Sequence, residues 1–385
     1  MNSEYPRRRL LKIIAGGVLS VIGGLFGSSN NLSKLKKTTE NIKINKTSIL
    51  SKISLPETGP WPVEDPFLFC VHHNDNYPAA KDDLSPNVSL SGRHLGNDFS
   101  NKDGWSMYHG QKVPGFPRHP HRGFETLTVV SKGFIDHADS LGAAARYGDG
   151  DAQWLTAGDG INHSEMFPLF SQNGNNKLDF FQIWLNLPSY NKRVEPNFEM
   201  YWKDEIPKIS SNLNGNKNVQ VEIITGDYLD FSSPIAPKNS WANNKKNDVA
   251  VWIIRLDRNG KFAVPITKSG AKRNLYVLKG SNMEIDGQSI SGGSMVTLDS
   301  SKNTVIKNLG SKTKILMLQG VPINEPVVKY GPFVMNTRSE IEQAFYDYNR
   351  TEFGGWQWGN SDPVHGTQKE KFAKLISGKI IKPGK

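Results

Sequence analysis

The residues best suited to chemistry stand in two short pairs: His119-Pro120-His121 and, 42 residues after His121, His163-Ser164-Glu165. In an extended chain, side chains at i and i+2 point to the same side, so each pair presents both its groups to one face. Pro120 fixes its own φ and biases His119 away from helix. Three imidazoles and one carboxylate form a nitrogen/oxygen donor set that suits Fe(II), Mn(II), Co(II), Ni(II), Cu(II) or Zn(II). Four protein ligands on an octahedral ion leave two positions open for reactants. A closed structural zinc site more often uses cysteine, and the chain has only Cys70. Eight of the nine histidines fall between His72 and His163, and none lies between Asn191 and Val364. That distribution suits a single metal site in the first half of the chain.

Other groups compete for roles. Glu125 lies four residues after His121, on the same side if one regular strand runs through both, as a ligand or a hydrogen-bond acceptor. His137-Ala138-Asp139 reads either as a carboxylate orienting an imidazole near the metal or as a polar hairpin. His72, His73, His94 and His109 have no partner at a useful spacing and read as surface or loop residues.

These pairs need strands to carry them. From Trp61 onward the chain runs in short apolar stretches broken by Gly, Pro, Asn and Asp, the texture of an all-β sandwich or barrel. Phe124 to Val130 and Leu275 to Leu278 are strand-like, and Asp286-Gly287 sits between two short runs as a hairpin turn. Val129-Val130-Ser131-Lys132-Gly133 and Tyr276-Val277-Leu278-Lys279-Gly280 resemble each other, which hints at a repeated barrel. Near the end, Thr337 and Glu340 form a capping box, and Ile341, Ala344, Phe345 and Tyr348 share one helical face. That spacing predicts a helix of about three turns ending near Gly354-Gly355.

The net charge of +10 over 385 residues sits at the ends: residues 1–58 carry +7 and residues 359–385 carry +4, leaving a nearly neutral body. A surface built for phosphate needs clustered basic groups on the folded domains, so nucleic acid is not an expected partner. The first residues run Arg7-Arg8-Arg9-Leu10-Leu11-Lys12 into a weakly apolar stretch from Ile13 to Gly27 that contains five glycines. A basic stretch before a short apolar one describes an export signal, and the order Arg-Arg-x-Leu-Leu-Lys is similar to the twin-arginine type. The apolar stretch is too short to span a bilayer comfortably, so no stable membrane span is expected unless the signal stays uncleaved. The expected division is a signal over 1–30, a flexible Ser/Asn/Lys-rich linker over 31–58, a metal-binding domain over 59–212, a metal-free domain over 213–335, and a helix with a basic tail over 336–385.

Beyond these readings, Gly115-Phe116-Pro117-Arg118-His119-Pro120-His121-Arg122-Gly123-Phe124-Glu125-Thr126 resembles the signature of the pirin family. So do His137-Ala138-Asp139-Ser140-Leu141-Gly142, the run from Asp151 to Met166, and the run from Glu325 to Arg338. The resemblance extends from about Asp65 to Gly355 and implies a bicupin: two β-barrels (jelly rolls) face to face, with a C-terminal helix packing back. It implies a metal, iron in the usual description, held by His119, His121, His163 and Glu165, and removes Glu125 from the ligands. Some pirins resemble quercetin 2,3-dioxygenases, which implies a small phenolic substrate and dioxygen, with Glu165 as a base. Others resemble iron-dependent regulatory partners without turnover. An export signal favours the enzyme reading, since an exported protein does not meet transcription factors. A monomer is expected.

Overall fold

The computed structural model describes residues 47–213, 216–267 and 270–384. The expected signal over 1–30 and the linker as far as residue 46 lie outside the described residues. Two β-barrels follow one another, each made of two facing antiparallel sheets, and a C-terminal helix packs back on them.

The first strand, β1 (Ile49–Ser54), falls within the expected flexible linker, and here the structure corrects the sequence reading. It pairs antiparallel with Ser294–Leu298 and forms an edge of the second barrel's seven-stranded sheet. Its polar sequence, Ile-Leu-Ser-Lys-Ile-Ser, gives no local signal because the pairing partner lies far along the chain. The first barrel contains β2 (Phe67–Tyr77), β3 (Gly115–His121), β4 (Phe124–Lys132), β5 (Phe134–Asp139), β6 (Ala144–Gly148), β7 (Ala152–Thr156), β8 (Ile161–Met166), β9 (Asn176–Asn186) and β10 (Asn197–Tyr201). One sheet runs β10-β7-β4-β9-β2, and the facing sheet runs β6-β5-β8-β3.

Alternation in the central strands sets the architecture. In β4 and β9, Val130 and Phe180 enter the core of the first barrel. Their odd neighbours Leu127, Val129, Phe181, Ile183 and Leu185 pack instead against Val251, Ile253, Leu316 and Leu318 of the second barrel. These strands are therefore buried on both faces, which explains why they read as continuous apolar runs. The second barrel closes around its own core, which includes Ile254, Phe262, Leu275, Ile285 and Met317. Its Asp286-Gly287 turn has φ of 49° and 83° and joins Asn282–Ile285 to Gln288–Ser291. Two positive φ values make it the primed hairpin turn that its sequence predicts.

The helix α1 (Arg338–Thr351) begins on the reciprocal capping box of Thr337 and Glu340 and buries Ile341 and Ala344 against Phe333, Met335 and Phe353. Arg122 ties it to the first barrel, donating to Asp347 at 2.8 Å while its Nε donates to the Asp159 carbonyl at 2.6 Å. Beyond the helix the chain does not trail into solvent. Phe372–Lys374 pairs with Ala144–Arg146 and extends the sheet that carries the histidines. No helix among the described residues is long and apolar enough to cross a membrane.

Candidate metal centre

The paired strands β3 and β8 bring the two histidine pairs together, with His119 opposite His163. The ring centroids stand 4.4 Å apart for His119 and His163, 4.9 Å for His121 and His163, and 4.8 Å for His119 and His121. Their ligand nitrogens all lie within 4.8 Å of one another. Burial pushes His119 down to about 4 and holds His121 and His163 well below the usual imidazole range. All three are therefore neutral at physiological pH, the form that binds a metal.

Orphaned nitrogens supply the fit test for an ion. His163 is fully buried, and among the described residues neither of its ring nitrogens has a hydrogen-bond partner; Nδ1 of His121 likewise has none. A neutral imidazole always carries one donor and one acceptor, and burying both unpaired is costly. A shared cation between the rings removes that penalty. His119 is prepared differently: its Nδ1 lies 2.9 Å from the Pro117 carbonyl, which fixes the proton there and leaves Nε2 as the ligand.

Glu165 stands beside this group but is not one of its three members. Its Oε1 accepts from Thr128 Oγ1 at 3.1 Å and its Oε2 from Gln182 Nε2 at 2.7 Å, both donors coming from the facing sheet. Burial raises its carboxyl, opposed first by the nearby His137 and then by these two donors. Neither Thr128 nor Gln182 figured in the sequence reading, although a glutamine within the apolar run of β9 was a usable signal. His137 neighbours Glu165 across β5 and β8, and its Nε2 lies 3.1 Å from Asp139 Oδ2. Asp139 answers to both readings: its Oδ2 holds the His137 imidazole, and its Oδ1 accepts from the Leu141 and Ala143 amides in the hairpin turn.

Glu125 faces away from the histidines. β3 ends at His121 and β4 starts at Phe124, so alternation does not carry through Gly123, whose φ is +86°. A Cβ there would meet the Val334 carbonyl at 2.0 Å, which excludes other residues. Glu125 therefore joins the odd residues of β4 at the barrel–barrel contact, accepting from Thr156 at 2.8 Å and from Ser240 at 2.6 Å. Burial pushes its carboxyl from 4.5 up to about 7. A raised folded-state value means that the stability it contributes is complete below pH 4.5 and is lost as pH rises through about 7. Denaturation midpoints should thus fall between about pH 4.5 and 7 in the wild type, and Glu125→Gln should flatten that slope. An unchanged slope in the variant would reject this role.

Two of the four unassigned histidines are also relocated. His94 and His109 are exposed, as expected for loop residues, but His72 and His73 lie in β2. His73 is buried on Phe180, and His72 contacts Asp179 at 3.0 Å. Both line a cleft of about 1360 Å³ that opens from His119 and His121 past Phe116 and Trp184 to the boundary between the barrels.

Residues 64–185 match the family model for pirin, and residues 251–354 match that for the pirin C-terminal cupin domain. A candidate quercetin 2,3-dioxygenase of Pseudomonas aeruginosa is 31% identical over 243 residues, 63% of this chain and 80% of that protein. The chain belongs to the pirin family. Human pirin is 32% identical over 252 residues, 64% of this chain and 80% of its own length. A solved quercetin 2,3-dioxygenase from Acinetobacter baumannii superposes with a TM-score of 0.63 at 25% identity, over 80% of this chain and 99% of that one. This pirin is therefore a bicupin whose N-terminal barrel carries three histidines able to form a metal site. The family match stops at residue 354.

Proposed function

We propose that this pirin is a metal-dependent dioxygenase of phenolic compounds, with flavonols such as quercetin as the substrate class and Fe(II) as the working metal. Mn, Co, Ni, Cu or Zn would fit the same nitrogen donors. The observation that carries this reading is the convergence of three neutral imidazoles, two of which, His119 and His121, line one end of an aromatic-walled cleft, while the third, His163, is buried behind them on the strand that also carries the buried Glu165. The similarity to proteins named for quercetin dioxygenation supports it.

Held by His119, His121 and His163, a divalent ion would supply a Lewis acid that makes a nearby phenol more acidic. The chain's own residues do the rest. Glu165 receives the phenolic proton on its carboxylate, and the donors from Thr128 and Gln182 hold it in place for that transfer. Trp184, whose ring lies 5.4 Å from His121 and 4.7 Å from Phe69, forms an apolar wall that limits water around the reacting ring. Glu165→Gln keeps the shape, and its one amide oxygen still accepts from one of the two donors, but it cannot take a proton. Its oxygen uptake with quercetin should fall by roughly 10²–10⁴-fold, the usual contribution of a general base, at unchanged metal content. Uptake equal to wild type would remove Glu165 from the reaction, and metal-dependent binding of a protein partner without any uptake would replace the enzyme reading altogether. The basic stretch before a short apolar one within residues 1–30 supports export by the twin-arginine route and action outside the cytoplasm. Cell fractionation that leaves the protein in the cytoplasm would contradict this.

A further inference from the structure

Both ends of the chain, outside the residues matched by the family, return to the metal cleft. The N-terminal end crosses from β1 to the first barrel through Leu55–Trp61, where the Trp61 amide donates to the Cys70 carbonyl at 2.7 Å. Trp61 stacks on Tyr276 of the second barrel with ring centroids 5.5 Å apart and planes 11° from parallel, and it approaches His72 at 5.8 Å. It forms part of the outer wall of the cleft, at the boundary between the barrels.

The C-terminal end forms a strap over the sheet that carries the histidines. Trp358 Nε1 donates to the Asp139 carbonyl at 2.8 Å, and the His365 amide donates to Asp136 at 2.7 Å. Ala373 is fully buried in the first barrel's core. The pairing of β3 with β8 is irregular between Phe116 and His119, and there the Arg118 amide donates to the Ser361 carbonyl at 2.6 Å. The strap is thus fastened one residue before a metal-site histidine. That contact brings Asp362 to the rim of the cleft beside Arg118 and His119. Among the described residues Asp362 has no hydrogen-bond or ion-pair partner, so its carboxylate is available to a ligand.

We propose that these two extensions select the ligand of the metal centre: Asp362 accepts a hydrogen bond from a hydroxyl near the metal-bound end, and Trp61 stacks with a ring at the outer end. The ligand class is an extended polyphenol of more than one ring, with adjacent hydroxyls at the inner end. This rests on the phenol-binding reading above. The cleft volume of about 1360 Å³ exceeds what a single ring needs. A carboxylate acceptor and an aromatic platform are the two features that separate such a ligand from a simple apolar one.

The test uses full-length protein loaded with Zn(II) and kept free of dioxygen, so that no oxygenation can occur, and titrates quercetin and catechol by their absorbance. Wild type should bind quercetin at least about tenfold more tightly than catechol. Trp61→Leu should weaken quercetin roughly three- to tenfold, the range of one aromatic contact, and leave catechol within about twofold. Asp362→Asn should weaken both ligands by about threefold or more. Zinc content should match wild type in both variants, as should the melting temperature of Asp362→Asn, whereas Trp61→Leu gives up its stacking on Tyr276 and should melt somewhat lower. Wild-type affinities for both ligands in the two variants would overturn the inference and leave the phenol reading standing. Failure of wild type to bind either ligand would overturn both.

Discussion

Replacing His163 by alanine abolishes metal retention and leaves both barrels folded: that is the expected result with the largest functional effect. His163 is the central member of the three-histidine group, opposite His119 across the β3–β8 pairing and close to His121. Loss of a hydrogen bond that merely supports a ligand weakens metal binding by about 10–100-fold, and loss of the ligand itself should exceed that. Because neither ring nitrogen of His163 has a protein partner, truncation strands no donor or acceptor elsewhere. The metal-free variant should therefore melt close to metal-free wild type. Saturating metal at about a thousand times its dissociation constant stabilises a folded site by about 4 kcal/mol. Wild type should show that shift in melting temperature and His163→Ala should not. A full shift in the variant would place the metal elsewhere.

The largest expected effect on stability lies at Arg146. Its guanidinium donates to both oxygens of Asp136, at 2.7 and 2.6 Å, and also to the carbonyls of Gly366 and Gln368 in the strap. Both side chains are almost completely buried. Removing one partner leaves an uncompensated buried charge, which destabilises by about 3–5 kcal/mol. Arg146→Ala should lower the denaturation midpoint of the first barrel accordingly and expose the chain after Gly355 to protease. The paired replacement Asp136→Leu with Arg146→Met should recover much of the loss, because it removes both charges together. If Arg146→Ala melts and resists protease as wild type does, the strap is not anchored as described.

How far these features were legible in the sequence depended on the range of the interactions that set them. The i, i+2 pairs carry their own geometry, so His119, His121 and His163 were identifiable before any pairing was known. The capping box at Thr337 and the Asp286-Gly287 turn are equally local, and both form as read. Spacing alone left Glu125 open as a ligand because it could not show that alternation stops at Gly123, where the chain breaks between strands; the resemblance had already removed it. The surroundings of Glu165 depend on Thr128 and Gln182, which reach it only when the two sheets face each other. β1 and Phe372–Lys374 are short strands without regular alternation, and their partners lie more than a hundred residues away, so a local reading cannot detect them. The basic composition of the tail carries no sign that it folds back on the first barrel, where Lys371 pairs with the buried Asp151. It missed Trp358, His365 and Ala373, which tie the strap down.

Anomalous diffraction recorded at the absorption edge of the bound metal, from crystals of the metal-loaded protein, tests the central claim most directly. One peak should appear per chain, among the nitrogens of His119, His121 and His163, and none inside the second barrel. A peak at another site, or none among these three histidines in protein that carries metal in solution, would contradict it.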